Sequence, residues 1–308
     1  MDQLENLKLQ LPGLTDSDNE AIAQENEAKT TSFSDLDLSR WKEYTDTIIT
    51  DSLWLLGRRD SSGMHTPEYW GNFVPQIATQ SILRFTKKGE TVLDPFVGLG
   101  TTLIECKRLG RNGIGIDLVP SVIEKAKRYI ELESNPYDVL TSAICGDSRL
   151  YETKNAIEGI LHKYATQKVH LMILHPPYHD IIKFSDLEAD LSNTKSEGDF
   201  YFQFERVLEN FTPLLERDRY LVLVIGDKYS KGEWIPLGFR TMERVTKQGY
   251  KLKSICVKDI QENRGKRNQH NLWRYRALNG GYYIFKHEYI MFFKKEAEER
   301  KARDKNLL

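Results

Sequence analysis

The chain has 308 residues, 40% of them hydrophobic and 29% charged, which excludes a disordered or fibrous protein and suits one large α/β domain or two smaller ones. Its 44 Lys and Arg against 45 Asp and Glu leave a net charge of −1, so no global field draws it to a polyanion. The charge is uneven, however. Residues 1–40 hold nine acids and three bases, which leaves a body of +5 behind an acidic arm.

No apolar run approaches the roughly 18 residues needed to cross a bilayer. The N-terminal MDQLENLKLQ lacks the basic start and apolar stretch of a secretory signal. Cys106, Cys145 and Cys256 lie far apart and form neither a C-x-x-C pair nor a zinc spacing. Three buried free thiols in a reducing cytoplasm are expected, with no metal site.

Residues 1–38 are polar and weakly periodic and read as a flexible arm. From Ser39 to Trp54, the spacing of Trp41, Tyr44 and Ile48 predicts a helix. The Gly-, Pro- and aromatic-rich stretch 63–76 reads as a loop leading into a helix over about 75–86. Strands then alternate with helices. TVLD (91–94), GIGID (113–117), SAICGD (142–147), VHLMIL (169–174) and YLVLVIGD (220–227) read as strands. Helices are expected through Arg108 and over about 121–133, 152–166, 199–216 and 236–248. HEYIMFFKK (287–295) is a last strand before a charged tail at 296–308. The alternation implies a doubly wound, mainly parallel α/β sheet covered on both faces.

Two stretches carry chemistry. In 92-VLDPFVGLGTTLIECKRLGRNGIGID-117 a strand ends at Asp94 and Gly98 and Gly100 permit a tight turn close to a ligand. The following helix would aim its amides into the crevice at the strand's carboxyl end. About 20 residues on, Asp117 ends the next strand, where an acid can accept hydrogen bonds from ribose hydroxyls. No Gly-Lys-Ser/Thr follows, and Leu103 occupies the third small position of a nicotinamide fingerprint. The second stretch is His175-Pro176-Pro177-Tyr178, directly after a buried strand. Two prolines stop the strand and remove two backbone donors, leaving a rigid set of acceptors beside an aromatic ring.

The first stretch resembles the D-P-F-x-G-x-G-T-T motif of S-adenosylmethionine-dependent amino-methyltransferases. The second resembles the D/N/S-P-P-Y/F/W motif of DNA adenine-N6 and cytosine-N4 methyltransferases, with His175 as the departure. Phe73 and Pro75, in a segment similar to F-x-P-Q, would wall the cofactor pocket. The resemblance implies a seven-stranded Rossmann-like methyltransferase sheet with a C-terminal antiparallel strand, spanning a catalytic domain over 39–295. It implies S-adenosylmethionine as cofactor, held by Asp94, Phe96, Gly98, Gly100 and Thr101, with Asp117 on the ribose and Asp147 near the adenine. His175 and the Pro176 carbonyl would hold the hydrogens of an exocyclic amino group, beside Pro177, and Tyr178 would stack on a flipped base. Protonated, His175 could not accept, so activity is expected to fall as it titrates. Gly226, Asp227 and Lys228 are further candidates near the substrate.

Residues 251–276 hold eight bases and two acids with Asn, Gln and aromatics interleaved, a composition suited to phosphates and base edges. The stretch 251–286 is therefore a candidate DNA-contacting insertion, with Arg264, Lys266, Arg267, Asn268, Arg274 and Arg276 as its contacts. Duplex DNA is the expected partner, and the resemblance adds a cognate restriction endonuclease. A tRNA exocyclic-amine methyltransferase and a non-catalytic cofactor-binding relative remain open alternatives, as do the target base and the oligomeric state.

Overall fold

The structure, a computed structural model, describes residues 33–69, 71–230, 232–260 and 270–296. Its strands are β1 (Leu53–Trp54), β2 (Thr91–Asp94), β3 (Asn112–Asp117), β4 (Thr141–Cys145), β5 (Val169–Leu174), β6 (Leu215–Ile225), β7 (Lys228–Ser230), β8 (Glu233–Ile235), β9 (Tyr250–Asp259) and β10 (His287–Lys295). The helices are α1 (Pro75–Phe85), α2 (Thr101–Leu109), α3 (Pro120–Leu132), α4 (Tyr151–Lys163), α5 (Glu197–Phe211), α6 (Leu237–Lys247) and α7 (His270–Gly280).

Eight strands form one sheet in the order β1-β9-β10-β6-β5-β2-β3-β4, and β7 and β8 form a separate hairpin. All neighbours from β6 to β4 are parallel, and β10 lies antiparallel between β6 and β9. The expected seven strands are thus present, and the two-residue β1 extends the edge by pairing with β9. The central strands are buried along nearly their whole length, as apolar runs covered on both faces must be. One face packs Ile157 and Leu161 of α4, Phe200, Phe204 and Phe211 of α5 and Val245 of α6. On the other face, Ile77, Ala78 and Ile82 of α1 join Trp54 and Phe292. Leu103 and Ile104 of α2 close a third cluster with Ile123, Ala126 and Ile130 of α3.

The chain runs outward from β2 to β4 and then returns to set β5 against the other side of β2, where Val92 faces Leu171 and Leu93 faces Met172. The carboxyl ends of β2 and β5 therefore diverge at a topological switch point, the place where open α/β sheets hold ligands. The glycine turn follows one of these strands and the tetrapeptide the other.

Three expectations need correction. The helix over 39–54 is only a distorted 3₁₀ stretch, Leu38–Tyr44, with non-helical Arg40 inside it. The β-branched Thr45, Thr47, Ile48, Ile49 and Thr50 oppose a helix, Ile49 N–H donates to Gln80 Oε1, and Trp54 joins the sheet edge. The end of the presumed arm is docked: Phe33 lies 5.2 Å from the Tyr220 ring, and Asp35 pairs with Arg111 at 2.8 Å. Cys106 and Cys256 are buried, but Cys145 is exposed because β4 is an edge strand with one face only partly covered.

The first part of the stretch 251–286 belongs to the sheet instead of an insertion. Residues 250–259 are β9, inside the main sheet. There Lys258 is buried and pairs with Glu288 at 2.9 Å.

Candidate active site

The turn after β2 is braced from beneath. Asp94 is buried, and its carboxylate accepts from Phe96 N–H at 2.9 Å and from Thr102 Oγ1 at 2.5 Å. Burial pushes its pKa up to about 7. Asp94 does not line the cleft, so this structure places it as the clamp of the turn. Gly98 and Gly100 both have positive φ, 51° and 91°. Gly98 lines the cleft and donates its N–H to Asp117 Oδ2 at 3.2 Å. Gly100 faces away, where an added Cβ would come within 2.9 Å of Ile130. Phe96 and Thr101 line the cleft. Pro75 is buried at the first position of α1, outside it.

Asp117 ends β3 beside this turn. Its other oxygen accepts from Val119 N–H at 2.9 Å. Burial foremost, with Asp190 nearby adding to it, pushes its pKa up to about 6 despite these bonds. Asp147 lines the same cleft but is already paired: the Arg149 guanidinium reaches both its oxygens, at 2.9 and 2.6 Å. Arg149 also donates to Gln203 Oε1 at 2.8 Å. The cleft encloses about 1070 Å³ with its open mouth included. Sequence reasoning missed Tyr69, Asn72, Arg149, Phe184 and Asp190 among its walls. Tyr69 and Asn72 lie in the Gly- and aromatic-rich stretch 63–76, and Phe184 and Asp190 in the 179–200 segment after the tetrapeptide; Arg149 carries no such signal.

The tetrapeptide closes the far end. His175, Pro176, Pro177 and Tyr178 all line the cleft. Phe73 meets the His175 ring edge-on, with centroids 5.3 Å apart. His175 Nε2 lies 3.0 Å from the Tyr178 hydroxyl, which donates to Glu288 Oε2 at 3.2 Å. Burial drives the His175 pKa down to about 4, so the ring is neutral throughout the neutral range. The expected loss of activity on titration therefore moves below pH 5. An added Cβ at Gly226 would lie 3.2 Å from Tyr178 Cε2; the glycine admits the ring against the strand end. His179 then takes a positive φ of 51°, and Lys228 anchors this turn through His179 Nδ1 at 2.8 Å, Asp180 at 2.7 Å and Glu197 at 2.9 Å. Asp227 is occupied with Gly238 N–H, Trp234 Nε1 and the Tyr289 hydroxyl. Lys228 and Asp227 thus brace the loop around the site.

Arg274 and Arg276 are exposed on α7, with Arg276 over the Trp273 ring at 5.4 Å. Arg264, Lys266, Arg267 and Asn268 lie outside the described residues. Among the described residues no group of three His, Cys, Asp or Glu could hold a metal ion, and no helix is long and apolar enough to cross a membrane.

A doubly wound sheet with a glycine turn, a carboxylate and a Pro-Pro-Tyr segment meeting at its switch point is the class that fold and site define. The sequence comparisons are more particular. Residues 16–128 match the model of the DNA methylase family, a stretch that holds Phe73, the glycine turn and Asp117 and ends before the tetrapeptide. Type II methyltransferase M.MjaII of Methanocaldococcus jannaschii is 26% identical over 161 residues, covering 48% of this chain and 28% of the relative. Type II methyltransferase M2.LlaDCHI of Lactococcus lactis subsp. cremoris is 34% identical over 115 residues, covering 35% and 39%. Type II methyltransferase M.BsoBI of Geobacillus stearothermophilus is 61% identical over 79 residues, covering 25% and 16%. The match thus spans at most 39% of the length of these relatives.

Proposed function

We propose that this chain is a DNA amino-methyltransferase that moves a methyl group from S-adenosylmethionine to the exocyclic nitrogen of a flipped cytosine or adenine. The observation that carries the reading is the meeting of two sequence-distant elements in one cleft: the Gly98 turn with Asp117, and His175 to Tyr178. The cradle fits the cofactor. Gly98 brings backbone close to the cleft, Asp117 offers a carboxylate at the strand end, and Phe73 and Phe96 give apolar walls. When bound, the cofactor supplies an electrophilic methyl group on a cationic sulfur.

The protein's own work is positioning and electrostatics, with no covalent intermediate. Asp117 holds the ribose end, and the Asp147–Arg149 pair forms the wall beside the adenine. The Pro176 carbonyl and His175 accept the amino hydrogens, which frees the nitrogen lone pair from the ring. Tyr178 stacks on the base. The DNA methylase match supports a DNA substrate; duplex DNA, a cytoplasmic setting and a cognate restriction endonuclease are parts of the same proposal. Arg274 and Arg276 on the exposed α7 are the described candidates for phosphate contact.

Tritiated methyl transfer to duplex DNA, compared with tRNA and with no acceptor, tests this reading, and mass analysis of the nucleosides identifies the base. Label found only in tRNA overturns it. Tyr178→Ala is expected to keep cofactor binding and lose transfer; equal loss of both would make Tyr178 a structural residue.

A further inference from the structure

The tetrapeptide begins with histidine where the resembled motif has Asp, Asn or Ser. A carboxylate, amide or hydroxyl oxygen accepts a hydrogen bond directly. A neutral imidazole accepts only through the nitrogen that lacks the proton, so its tautomer must be set. The structure holds a chain of groups able to set it. Lys258 and Glu288 stand opposite each other on β9 and β10 and pair at 2.9 Å. Both side chains are largely buried, 9% and 12% exposed. Lys258 also donates to the Asp259 carbonyl at 3.1 Å. Glu288 Oε2 receives the Tyr178 hydroxyl, and the Tyr178 oxygen meets His175 Nε2.

Counting hydrogens along this chain leaves one arrangement in which both contacts of the Tyr178 hydroxyl are hydrogen bonds. Burial raises the Glu288 pKa, but Lys258, then His175 and the hydrogen bonds from Lys258 and Tyr178, outweigh it and hold the carboxyl below its ordinary value. An ionised carboxylate only accepts, so the Tyr178 hydroxyl donates to it. Burial and Glu288 keep Tyr178 protonated, with its pKa well above the ordinary value, so it has one hydrogen, and that hydrogen is spent. Its oxygen can then only accept from His175, which puts the ring proton on Nε2 and the lone pair on Nδ1.

We infer that Lys258 and Glu288 act through Tyr178 to hold His175 in its Nε2–H tautomer, so that Nδ1 faces the target amino group as an acceptor. Glu288 is thus a positioning residue, and the inference rests on the methyl-transfer reading for its consequence. A buried ion pair is poor evidence of stability, since apolar replacement of both partners is often neutral. An orienting group that sets a histidine tautomer has a large effect on turnover.

The test replaces both charges together, Lys258→Met with Glu288→Met, because removing one leaves the other buried and unpaired. The hydrogen of Tyr178 then turns to the remaining acceptor, His175 Nε2, and drives the ring proton to Nδ1. Nitrogen-15 spectra of histidine-labelled protein read this directly; the His175→Asn spectrum identifies the signal among the seven histidines. The expected result is an Nε2–H ring in the wild type, an Nδ1–H ring in the double variant, and a fall in kcat of at least tenfold with cofactor Kd unchanged. In a His175→Asn background, the same pair of substitutions is expected to lower kcat by much less than in the histidine protein, because an amide oxygen has no tautomer to set and only the anchoring of the Tyr178 ring is lost. An Nδ1–H ring in the wild type overturns the inference, as does an equal loss of kcat in the His175→Asn background. The spectra need no turnover, so absence of methyl transfer to any acceptor would defeat the functional reading while leaving the tautomer measured.

Discussion

Replacing Asp94 by Asn isolates the electrostatic cost of the glycine turn. The wild-type carboxyl is buried beneath the turn and moves from an ordinary value of 3.8 to about 7, chiefly through burial. The folded state therefore binds its proton more tightly than the unfolded chain. The stability this contributes is fully present below about pH 4 and is lost as pH rises through about 7. At about 1.4 kcal/mol per tenfold change in proton affinity, the whole effect is roughly 4 kcal/mol, of which roughly 2.5 kcal/mol falls between pH 5 and pH 8. Asn preserves the local bonding: its oxygen accepts from Phe96 N–H, and its amide donates to Thr102 Oγ1, which turns from donor to acceptor. Urea unfolding of both proteins in the absence of ligand, at four pH values from 5 to 8, measures the difference. The variant is expected to gain on the wild type by roughly 2.5 kcal/mol across that range. Parallel stability curves would show that Asp94 does not carry a raised pKa and would refute the reasoning.

Cofactor affinity should depend on Asp117, whose pKa burial raises to about 6. Below that value the carboxylate is neutralised as an acceptor, so Kd is expected to rise about tenfold by pH 5; calorimetry showing a constant Kd from pH 5 to 8 counts against the assignment. Gly100→Ala places a Cβ 2.9 Å from Ile130 at a φ of 91° and is expected to cost about 2–4 kcal/mol in chemical denaturation. Gly159→Ala, on the exposed side of α4 with nothing within 4 Å, is expected to stabilise by about 0.5–1 kcal/mol. Phe33→Ala removes a half-buried ring packed on Phe85 and Tyr220 and is expected to lower stability by about 2 kcal/mol; an unchanged Tm would mean that the 33–38 segment is not docked in solution.

The alternating strands and helices were legible because each strand was a short apolar run and each helix carried a 3.6-residue pattern. HEYIMFFKK matches β10 at both ends, residues 287–295. The turn from Asp94 to Thr102 and the tetrapeptide were legible because their chemistry lies in contiguous residues. The 39–54 region misled because three aromatic or aliphatic residues at helical spacing outweighed, in that reading, the β-branched stretch that prevents the helix. In the basic stretch 251–276 one lysine is not available to a partner, because composition counts charge without its burial. Lys258 belongs to that count, yet its ammonium is paired with Glu288 inside the fold.

By itself, the sequence determined the doubly wound class, the two motifs and the strands that carry them, because these depend on interactions within a few residues. Only the tertiary structure decided which side chains share the site. The parallel pairing of β2 with β5 joins Gly98 to His175, and the antiparallel insertion of β10 brings Glu288 to Tyr178, 110 residues away. No local pattern specifies such neighbours, because strand order is set by the packing of the whole sheet. The same packing removed Asp94 from the cleft, and it converted a lone histidine in a tetrapeptide into the end of a buried polar chain.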